Sequence, residues 1–144
     1  MRIRSLFAVS AVVVTAAALP FTPLAGMWMG DVAGKDGNPL SGSAMMMAGS
    51  DANTTQVDLQ LKGDVAGAVH PWHIHIGSCT RPGAPLGGGK PYTPVTIGAN
   101  GSGTSKAILP LAMPDTGSYY INIHDSAANM AKVVGCGDLK YGKM

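Results

Sequence analysis

The sequence contains no glutamate, and charged residues occupy only 12% of its 144 positions. Helical bundles and coiled coils draw heavily on Glu, Lys and Leu, so this composition excludes them. Aromatic residues are also few, at 6%, but hydrophobic residues reach 46%, which argues against a disordered chain. The length allows one ordinary domain, rich in glycine (20 residues) and proline (10 residues).

The chain also lacks a strong excess of charge of either sign. Ten Lys and Arg residues stand against eight Asp residues, and two of the ten, Arg2 and Arg4, fall in a segment that we expect to be removed. A mature chain without net charge has no electrostatic footprint for nucleic acid. The sequence has no Gly-x-Ser-x-Gly turn, phosphate-binding loop or paired glutamates, so hydrolase and nucleotide chemistry have no support.

The beginning of the chain has the pattern of a secretory signal peptide. Arg2 and Arg4 supply a short positive region, and an uncharged run of 14 residues follows from Leu6 to Leu19. The alternative is a membrane anchor, but this run is shorter than the ~20 apolar residues that span a bilayer. The pattern therefore predicts export.

Small residues after the apolar run offer cleavage after Ala18 or after Ala25. Residues 1–25 are predicted to be a signal peptide, and residues 26–144 a single β domain. After cleavage we expect a periplasmic or secreted protein that does not associate with a membrane.

The predicted export bears on the redox state of the two cysteines, Cys79 and Cys136. An even number of cysteines in an oxidising compartment favours a disulfide bond. Closing a loop of this size would stabilise the fold by roughly 4 kcal/mol on a chain-entropy estimate. The alternative is a pair of thiolate metal ligands, which the absence of a Cys-x-x-Cys spacing disfavours.

Several segments alternate between apolar and polar residues, as half-buried strands do. The clearest are 56–62, 72–76 and 119–124. No helical pattern of comparable length is present. The residues predicted to face the core are Val57, Leu59, Leu61, Trp72, Ile74, Ile76, Tyr119, Ile121 and Ile123.

Turn signals rich in Gly, Asn and Asp separate about eight short strands. Such a series predicts an all-β protein, an antiparallel sandwich or barrel. The longest irregular segment is predicted at 77–92. The predicted strands are 27–33, 40–48, 55–62, 69–76, 93–97, 104–111, 117–124 and 132–138.

The four histidines are candidates for metal chemistry, and three of them, His70, His73 and His75, fall within six positions. Residues two apart in a strand share a face, so His73 and His75 point the same way, opposite to the core residues. His124 lies on the outer face of its own strand. If the two strands are neighbours, three imidazoles converge on one ion. Imidazole suits copper, zinc, iron and nickel, and copper binds tightest among the divalent ions.

Five segments resemble the Cu/Zn superoxide dismutase family in their order along the chain. The run His70–Cys79 is similar to the copper-binding strand, in which two alternating histidines precede a cysteine. Tyr120–His124 resembles the strand that supplies a further copper histidine, and Val134–Gly137 resembles the Ala-Cys-Gly that closes the disulfide. Leu40–Ala44 and Ala99–Gly103 are similar to the family's early strand and mid-chain hairpin.

The resemblance implies a Greek-key antiparallel β-sandwich or barrel of the superoxide dismutase type. It implies that His73, His75 and His124 bind copper and that Cys79 and Cys136 form the disulfide. The activity it implies is the dismutation of superoxide to oxygen and hydrogen peroxide.

The departures from the family pattern are equally specific. No histidine follows Cys79 before the mid-chain hairpin, where the family has its bridging and zinc-binding histidines, so zinc is not expected. The active-site Arg of the family is replaced by Val133, next to Lys132, and Lys does not substitute for the planar fork of Arg. The segment 119–139 also resembles the closing strands of chordin-type domains.

Methionines are a further set of soft candidate ligands for Cu(I). Met45 and Met47 are expected to face the core of their strand, with Met46 at the surface, so a structural role is favoured over metal binding. Met27 and Met29 belong to the same set of candidates.

Other side chains near the histidines are candidates for supporting roles. His70 is either a fourth copper ligand or, as in the family, a brace for the backbone. Met130 is a possible additional soft ligand. Asp125 either orients an imidazole or is an ordinary solvated side chain. The basic side chains that are candidates for attracting an anion to the metal are Arg81, Lys90 and Lys132.

These observations leave three functions open. The first is a copper-dependent superoxide dismutase that uses the three histidines. The second is a non-catalytic protein that binds or buffers copper through the same ligands. The third is a structural binding module without a metal.

Overall fold

The computed structural model describes residues 26–142, and every regular element within them is a β-strand. The all-β prediction is confirmed, with nine strands in the described residues where the sequence predicts about eight. The additional strand arises because the predicted strand 69–76 is divided at Pro71, which has no backbone N–H to donate. In chain order the strands are β1 (Met27–Gly34), β2 (Ser41–Ala48), β3 (Thr55–Lys62), β4 (Val69–His70), β5 (Trp72–Ile76), β6 (Val95–Thr96), β7 (Gly103–Leu109), β8 (Tyr119–Ser126) and β9 (Asn129–Gly142).

Seven strands form one curled antiparallel sheet in the order β5-β8-β9-β1-β2-β3-β7. β8 pairs with β5 although β6 and β7 lie between them in sequence, and β9 returns to pair with β1. Returns of this kind, in which a later strand lies beside an earlier one, give a Greek-key arrangement. The sheet curls into a half-barrel, in agreement with the predicted sandwich or barrel.

A small second sheet of two strands packs against the large sheet. β4 and β6 pair with each other, with Val69 opposite Thr96 and His70 opposite Val95. β4 lies against β8, and β6 lies against β7. This two-stranded sheet therefore links β8 with the edge strand β7, and it brings His70 close to the end of β8.

The core lies inside the curl and is made by one face of each long strand. In β3 the alternate residues Val57, Leu59 and Leu61 are all buried, and in β8 Ile121 and Ile123 are buried, as the alternation predicts. The loop between β5 and β6 adds Leu86 and Tyr92 to this core, which the sequence pattern does not reveal.

The prediction for Ile76 is wrong, because this side chain is 51% exposed. It lies at the end of an edge strand, where the chain leaves the sheet. The turn is made at Gly77, whose φ of 115° is accessible to glycine and costly for other residues.

The prediction for the methionines of β2 is also wrong. Met46 is fully buried, and Met45 and Met47 are partly exposed. Met45, Met46 and Met47 are all apolar, so the sequence does not show which of them faces the core. The pairing of Met46 with Trp28 of β1 decides it, since both residues belong to the core.

The predicted signal peptide, residues 1–25, lies outside the described residues, so its cleavage stays a prediction. Among residues 26–142 no helix is long and apolar enough to cross a membrane.

Candidate metal centre

The pairing of β5 with β8 brings the three histidines together. His73 lies opposite Asn122 and His75 lies opposite Tyr120, so both histidines share a face with His124 further along β8. The neighbouring residues in β5 and β8 point the other way, into the core. The predicted convergence of two strands therefore occurs, and it places three imidazoles on one face of the sheet.

This face is covered, which the sequence does not predict for an outer face. His75 and His124 are buried, with exposed fractions of 9% and 7%, and His73 is half-buried. The segment after β5 folds back over it, with the Leu86 N–H donating to the Ile74 carbonyl at 2.8 Å. The segment after β5 thus shields the cluster from solvent.

Backbone carbonyls fix the orientation of two of the rings. Nδ1 of His75 donates to the Gly83 carbonyl at 2.8 Å, and Nδ1 of His124 donates to the Met130 carbonyl at 2.7 Å. A carbonyl oxygen accepts and cannot donate, so in each neutral ring the proton lies on Nδ1. Nε2 of both histidines therefore carries a lone pair, the form that a metal ion requires.

The third ring completes the group through its other nitrogen. Nδ1 of His73 lies 3.2 Å from Nε2 of His124, and one ligand atom from each of the three histidines lies within 4.8 Å of the other two. Three nitrogens bound to one ion at ~2.0–2.1 Å in a tetrahedral or trigonal arrangement lie about 3.3–3.6 Å apart. A contraction of about 1–1.5 Å between the outermost ligand atoms would therefore bring the cluster to bonding distance.

A buried polar atom without a partner supports the fit of an ion. Nε2 of His75 is inaccessible to solvent and makes no hydrogen bond to any described residue. An unpaired buried nitrogen costs free energy, so its presence needs a reason. A ligand atom of His75 lies within 4.8 Å of those of His73 and His124, and an ion bound there through Nε2 would satisfy this nitrogen. Across residues 26–142 no other group of three His, Cys, Asp or Glu side chains meets the same distance criterion.

Burial favours the neutral form of two of the three imidazoles. Burial, with smaller contributions from the charges of His124 and His75, lowers the pKa of His73 to about 4. Burial also lowers the pKa of His124, although its bond to the Met130 carbonyl works in the opposite direction. Neutral rings do not have to lose a charge-bearing proton before they bind a metal ion near neutral pH.

Two tyrosines pack against the cluster. The ring of Tyr120 stacks on His75 with centroids 5.1 Å apart, and its hydroxyl accepts from the Gly83 N–H at 3.3 Å. The ring of Tyr92 meets His73 edge-on at 5.1 Å, and its hydroxyl donates to the Leu86 carbonyl at 2.7 Å. Alternation along β8 indicates the face of Tyr120, but no signal in the sequence places Tyr92 here.

His70 braces the backbone at His124 and does not join the cluster. Its Nδ1 donates to the His124 carbonyl at 2.8 Å, and the N–H of His124 donates to the Pro71 carbonyl at 2.8 Å. Nε2 of His70 lies 2.7 Å from Oδ2 of Asp64, and these two side chains are 7% and 8% exposed. Both ring nitrogens are thus engaged by oxygen atoms. No pattern in the sequence identifies Asp64 as the partner of His70.

Asp125 and Lys132 contact each other at the surface. Nζ of Lys132 lies 3.1 Å from Oδ1 of Asp125, with side chains 59% and 33% exposed. Lys132 and Asn129 together lower the pKa of Asp125. Carbonyls orient His75 and His124, and Asp125 makes no hydrogen bond to either ring, so its orienting role is not what the structure shows.

Val133 is paired with His124 across β8 and β9, at the position where the family resemblance expects an arginine. The segment between His124 and Cys136 consists of the end of β8, a short turn and the first half of β9. β8 and β9 form a tight hairpin, with Ser126 opposite Asn129, and the register shifts on both sides of His124. Bulges of this kind bend a strand and re-aim side chains next to functional sites.

The remaining sequence candidates lie at the surface. Met130 is 38% exposed, and the atom that it directs at the cluster is its backbone carbonyl. Arg81 and Lys90 are exposed residues of the segment after β5. A Cβ added at Gly89 would lie 3.5 Å from Nε2 of His73, so Lys90 follows the residue that approaches the cluster.

Cys79 and Cys136 form a disulfide bond, as predicted, with their Cα atoms 6.1 Å apart. The bond joins the segment after β5 to β9. The N–H of Cys79 also donates to Oδ1 of Asp138 at 2.7 Å. The segment that supplies the Gly83 carbonyl to His75 is therefore held at its start by a covalent link.

No protein-family model matches the chain, and no curated protein matches its sequence. Fold and site by themselves define an all-β protein with a three-histidine cluster that can hold a metal ion.

Proposed function

We propose that this protein is an exported copper protein of the superoxide dismutase type, with His73, His75 and His124 as the copper ligands and dismutation of superoxide as its reaction. The observation that carries the proposal is the set of three histidines whose ligand atoms lie within 4.8 Å of one another, together with the buried Nε2 of His75, which has no hydrogen-bond partner. The disulfide between Cys79 and Cys136 fits an extracellular or periplasmic location.

Copper is favoured because three imidazoles and no carboxylate or thiolate make up the donor set. Imidazole suits both copper and zinc, and the affinity of such sites is higher for Cu(II) than for Zn(II). Bound copper would supply the alternate one-electron reduction and oxidation that dismutation needs. Zinc in a separate site is not expected.

The residues of this chain would prepare the site in three ways. The Gly83 and Met130 carbonyls hold two rings with the proton on Nδ1 and the lone pair on Nε2, so the ligands need little reorientation. Tyr120 and Tyr92 wall off the rings from bulk water. His73 is the most exposed of the three histidines, so a small anion would approach from its side, and water would supply the protons.

Copper binding without turnover is the second candidate, and two observations favour it. Val133, a side chain without charge, stands across from His124 where an anion-guiding arginine would be needed. The nearest cation in β9, Lys132, is already engaged by Asp125 at 3.1 Å. In this case the cluster would buffer copper, and substrate would gain no electrostatic guidance.

Copper titration of the purified protein with its disulfide intact, followed by a dismutation assay on the same sample, separates these functions. We expect one Cu(II) per chain and no stoichiometric zinc after dialysis against both metals. Each of His73→Ala, His75→Ala and His124→Ala should weaken Cu(II) binding by about a hundredfold or more, equivalent to roughly 2.7 kcal/mol, since three ligands leave no spare.

His70→Ala is the matched control, because it removes an imidazole that is not a ligand. It should retain most of the copper affinity. Copper-loaded protein that is no faster than metal-free protein would eliminate the enzyme and leave the copper-binding function. Equal copper affinity in all three cluster variants would eliminate both, and the structural module without a metal would remain.

A further inference from the structure

Four methionines are grouped on one face of the sheet, away from the histidines. The register of β1 with β2 sets Met27 opposite Met47 and Met29 opposite Met45. Residues opposite each other in antiparallel strands share a face, as do residues two apart in one strand. The four thioethers therefore form a two-by-two group, which we call the methionine face.

The methionine face is turned to solvent. Trp28 and Met46, which alternate with the four, are 4% and 0% exposed and belong to the core. Met29 is 37% exposed, and the other three members are partly exposed. A surface groove runs beside Met29 and Met45, and Gly30, which has no side chain, helps to form it. These thioethers are thus accessible and are not explained by core packing.

The polar neighbours of this face leave the sulfur atoms as its main donors. Asp58 and Gln56 of β3 lie opposite Met45 and Met47, and Nε2 of Gln56 donates to Oδ2 of Asp58 at 2.8 Å. Lys140 of β9 lies on the other side, opposite a member of the face. Asp31 and Asp138 also line the groove, and the Asp58 carboxylate is engaged by Gln56 and by Lys106, whose Nζ lies 3.6 Å away. Two ammonium groups thus stand against three carboxylates, so the face offers little net charge to attract a hard divalent cation.

We propose that the methionine face is a second metal site, which binds a soft monovalent cation, Cu(I), through thioether sulfurs. Soft thioether ligands select Cu(I) over harder ions. The Cβ atoms of the four residues start about 4.5–5.5 Å apart across the strands and roughly 6.5 Å apart along each strand. Three rotatable bonds let each sulfur move over this range, so three or four sulfurs can meet at one ion.

This proposal does not rest on the function proposed for the histidine cluster, because the two sites share no residue. It predicts a division by oxidation state. The imidazole cluster takes Cu(II), and the thioether face takes Cu(I). Thioethers do not titrate, so the second site keeps its ligands at pH values where imidazoles are protonated.

The test uses Ag(I), a redox-inert cation of similar softness that leaves the disulfide intact, and reads the ε-methyl resonances of the methionines by NMR. Addition of Ag(I) to the purified protein should shift the methyls of the methionine face together and saturate at one ion per chain. Met46 and Met113 should not shift. Silver bound at the histidine cluster does not register at these methyls. Zn(II), a borderline ion, should leave all of them in place.

Variants with matched volume test the ligands themselves. Replacement of all four members of the methionine face by Leu keeps an apolar surface and removes the sulfur atoms. Affinity for Ag(I) at this site, measured by native mass spectrometry, should fall by about tenfold or more, which corresponds to at least ~1.4 kcal/mol. Met46→Leu is the control in the same strand, since it removes a thioether that points into the core. Met29→Leu alone should give an intermediate loss of Ag(I) affinity. This single variant tests the proposal even if the fourfold variant folds poorly.

Three results would overturn the proposal. The first is equal Ag(I) binding by the wild type and the fourfold variant. The second is a shift of the Met113 and Met130 methyls as large as that of the methionine face, which would indicate unspecific thioether binding. The third is movement of the four methyls on concentrating the protein without metal, which would make the face a contact between copies of this chain.

Discussion

The histidine cluster and the methionine face are both assembled by strand pairing, but they differ in how far the rest of the protein covers them and fixes their side chains. In both, residues two apart in one strand meet residues of the paired strand on a single face. The cluster is then covered by the segment after β5, and carbonyls of Gly83 and Met130 fix two of its rings. The methionine face has no such cover and keeps Met29 37% exposed.

The comparison separates ligand placement from ligand preparation. Strand register alone brings candidate ligands together. A prepared site also needs hydrogen bonds that select one tautomer and walls that exclude water, because each ring must present a lone pair in a fixed direction. Flexible thioethers need neither, since they do not titrate and reach an ion by rotating their side chains. We therefore expect perturbations of the covering segment to affect the cluster and to leave the methionine face unchanged.

Loss of the disulfide should have the largest effect. The Cys79→Ala/Cys136→Ala double variant frees a long loop in the unfolded chain, and the free energy of unfolding should fall by about 4 kcal/mol. Urea denaturation measures it. Cu(II) affinity should fall as well, because the bond anchors the segment that carries Gly83, while the methyl resonances of the methionine face stay in place.

Treatment of the wild type with a reductant should reproduce the loss, and the double variant should not respond to it. Equal stability of oxidised and reduced wild type would contradict the structure of this region.

His70→Ala should be the next largest perturbation. It removes the donor to the His124 carbonyl and leaves the buried Asp64 carboxylate without its partner, so the free energy of unfolding should drop by about 3 kcal/mol. His70→Asn, whose amide nitrogen can replace Nδ1, should recover part of this loss. Thermal and urea denaturation measure both variants.

The double variant His70→Ala/Asp64→Ala should be less impaired than the sum of its single changes, because it no longer buries an unpaired carboxylate. Strict additivity would show that the Asp64–His70 contact does not couple the two side chains.

Acid should destabilise the metal-free protein through the histidine cluster. The folded state holds the pKa of His73 at about 4, against 6.5 for an ordinary histidine, and the pKa of His124 is also lowered. Between these values the unfolded chain binds more protons, so the free energy of unfolding falls as pH drops from about 6.5 towards 4 and does not depend on these groups above that window.

Urea denaturation at several pH values, in the presence of a chelator, checks this expectation. His73→Ala should flatten the profile, whereas replacement of the methionine face by Leu should leave its shape unchanged. A profile that is level from pH 7 to 4.5 would contradict the neutral, buried cluster.

The smallest effect is expected from Lys132→Ala. The Lys132–Asp125 pair is exposed, so its loss should not measurably change the free energy of unfolding. If Lys132 guides an anion, the dismutation rate at low salt should fall by roughly twofold, and the difference should vanish when salt shortens the screening length. Asp125→Ala frees Lys132 and should change the low-salt rate in the opposite direction. Rates that respond equally at low and high salt would exclude guidance.

The alternation of polar and apolar residues was sufficient to predict the fold class and the histidine cluster. Polar and apolar residues alternate clearly in 56–62, 72–76 and 119–124, and the structure has strands in all three segments. The histidines occupy the polar phase of two of them, so their common face follows directly. The two cysteines were also sufficient to predict the disulfide that is present.

The alternation of apolar and polar residues failed to predict burial where consecutive residues are all apolar and where the chain leaves the sheet. Met45, Met46 and Met47 are all apolar, and only the pairing of Met46 with Trp28 decides which of them is buried. Ile76 continues an apolar phase, yet the strand ends there and the side chain is exposed. Backbone carbonyls, such as that of Gly83, have no side-chain signature at all.

The sequence by itself determined that this protein is built of short antiparallel strands and that His73, His75 and His124 lie on outward faces, because side-chain direction in a strand repeats every two residues. Only the tertiary structure decided that these faces meet, that a loop buries them, and that four methionines share another face. These outcomes depend on which distant strands pair and in which register, and that choice is made by the packing of the whole core and not by any one segment.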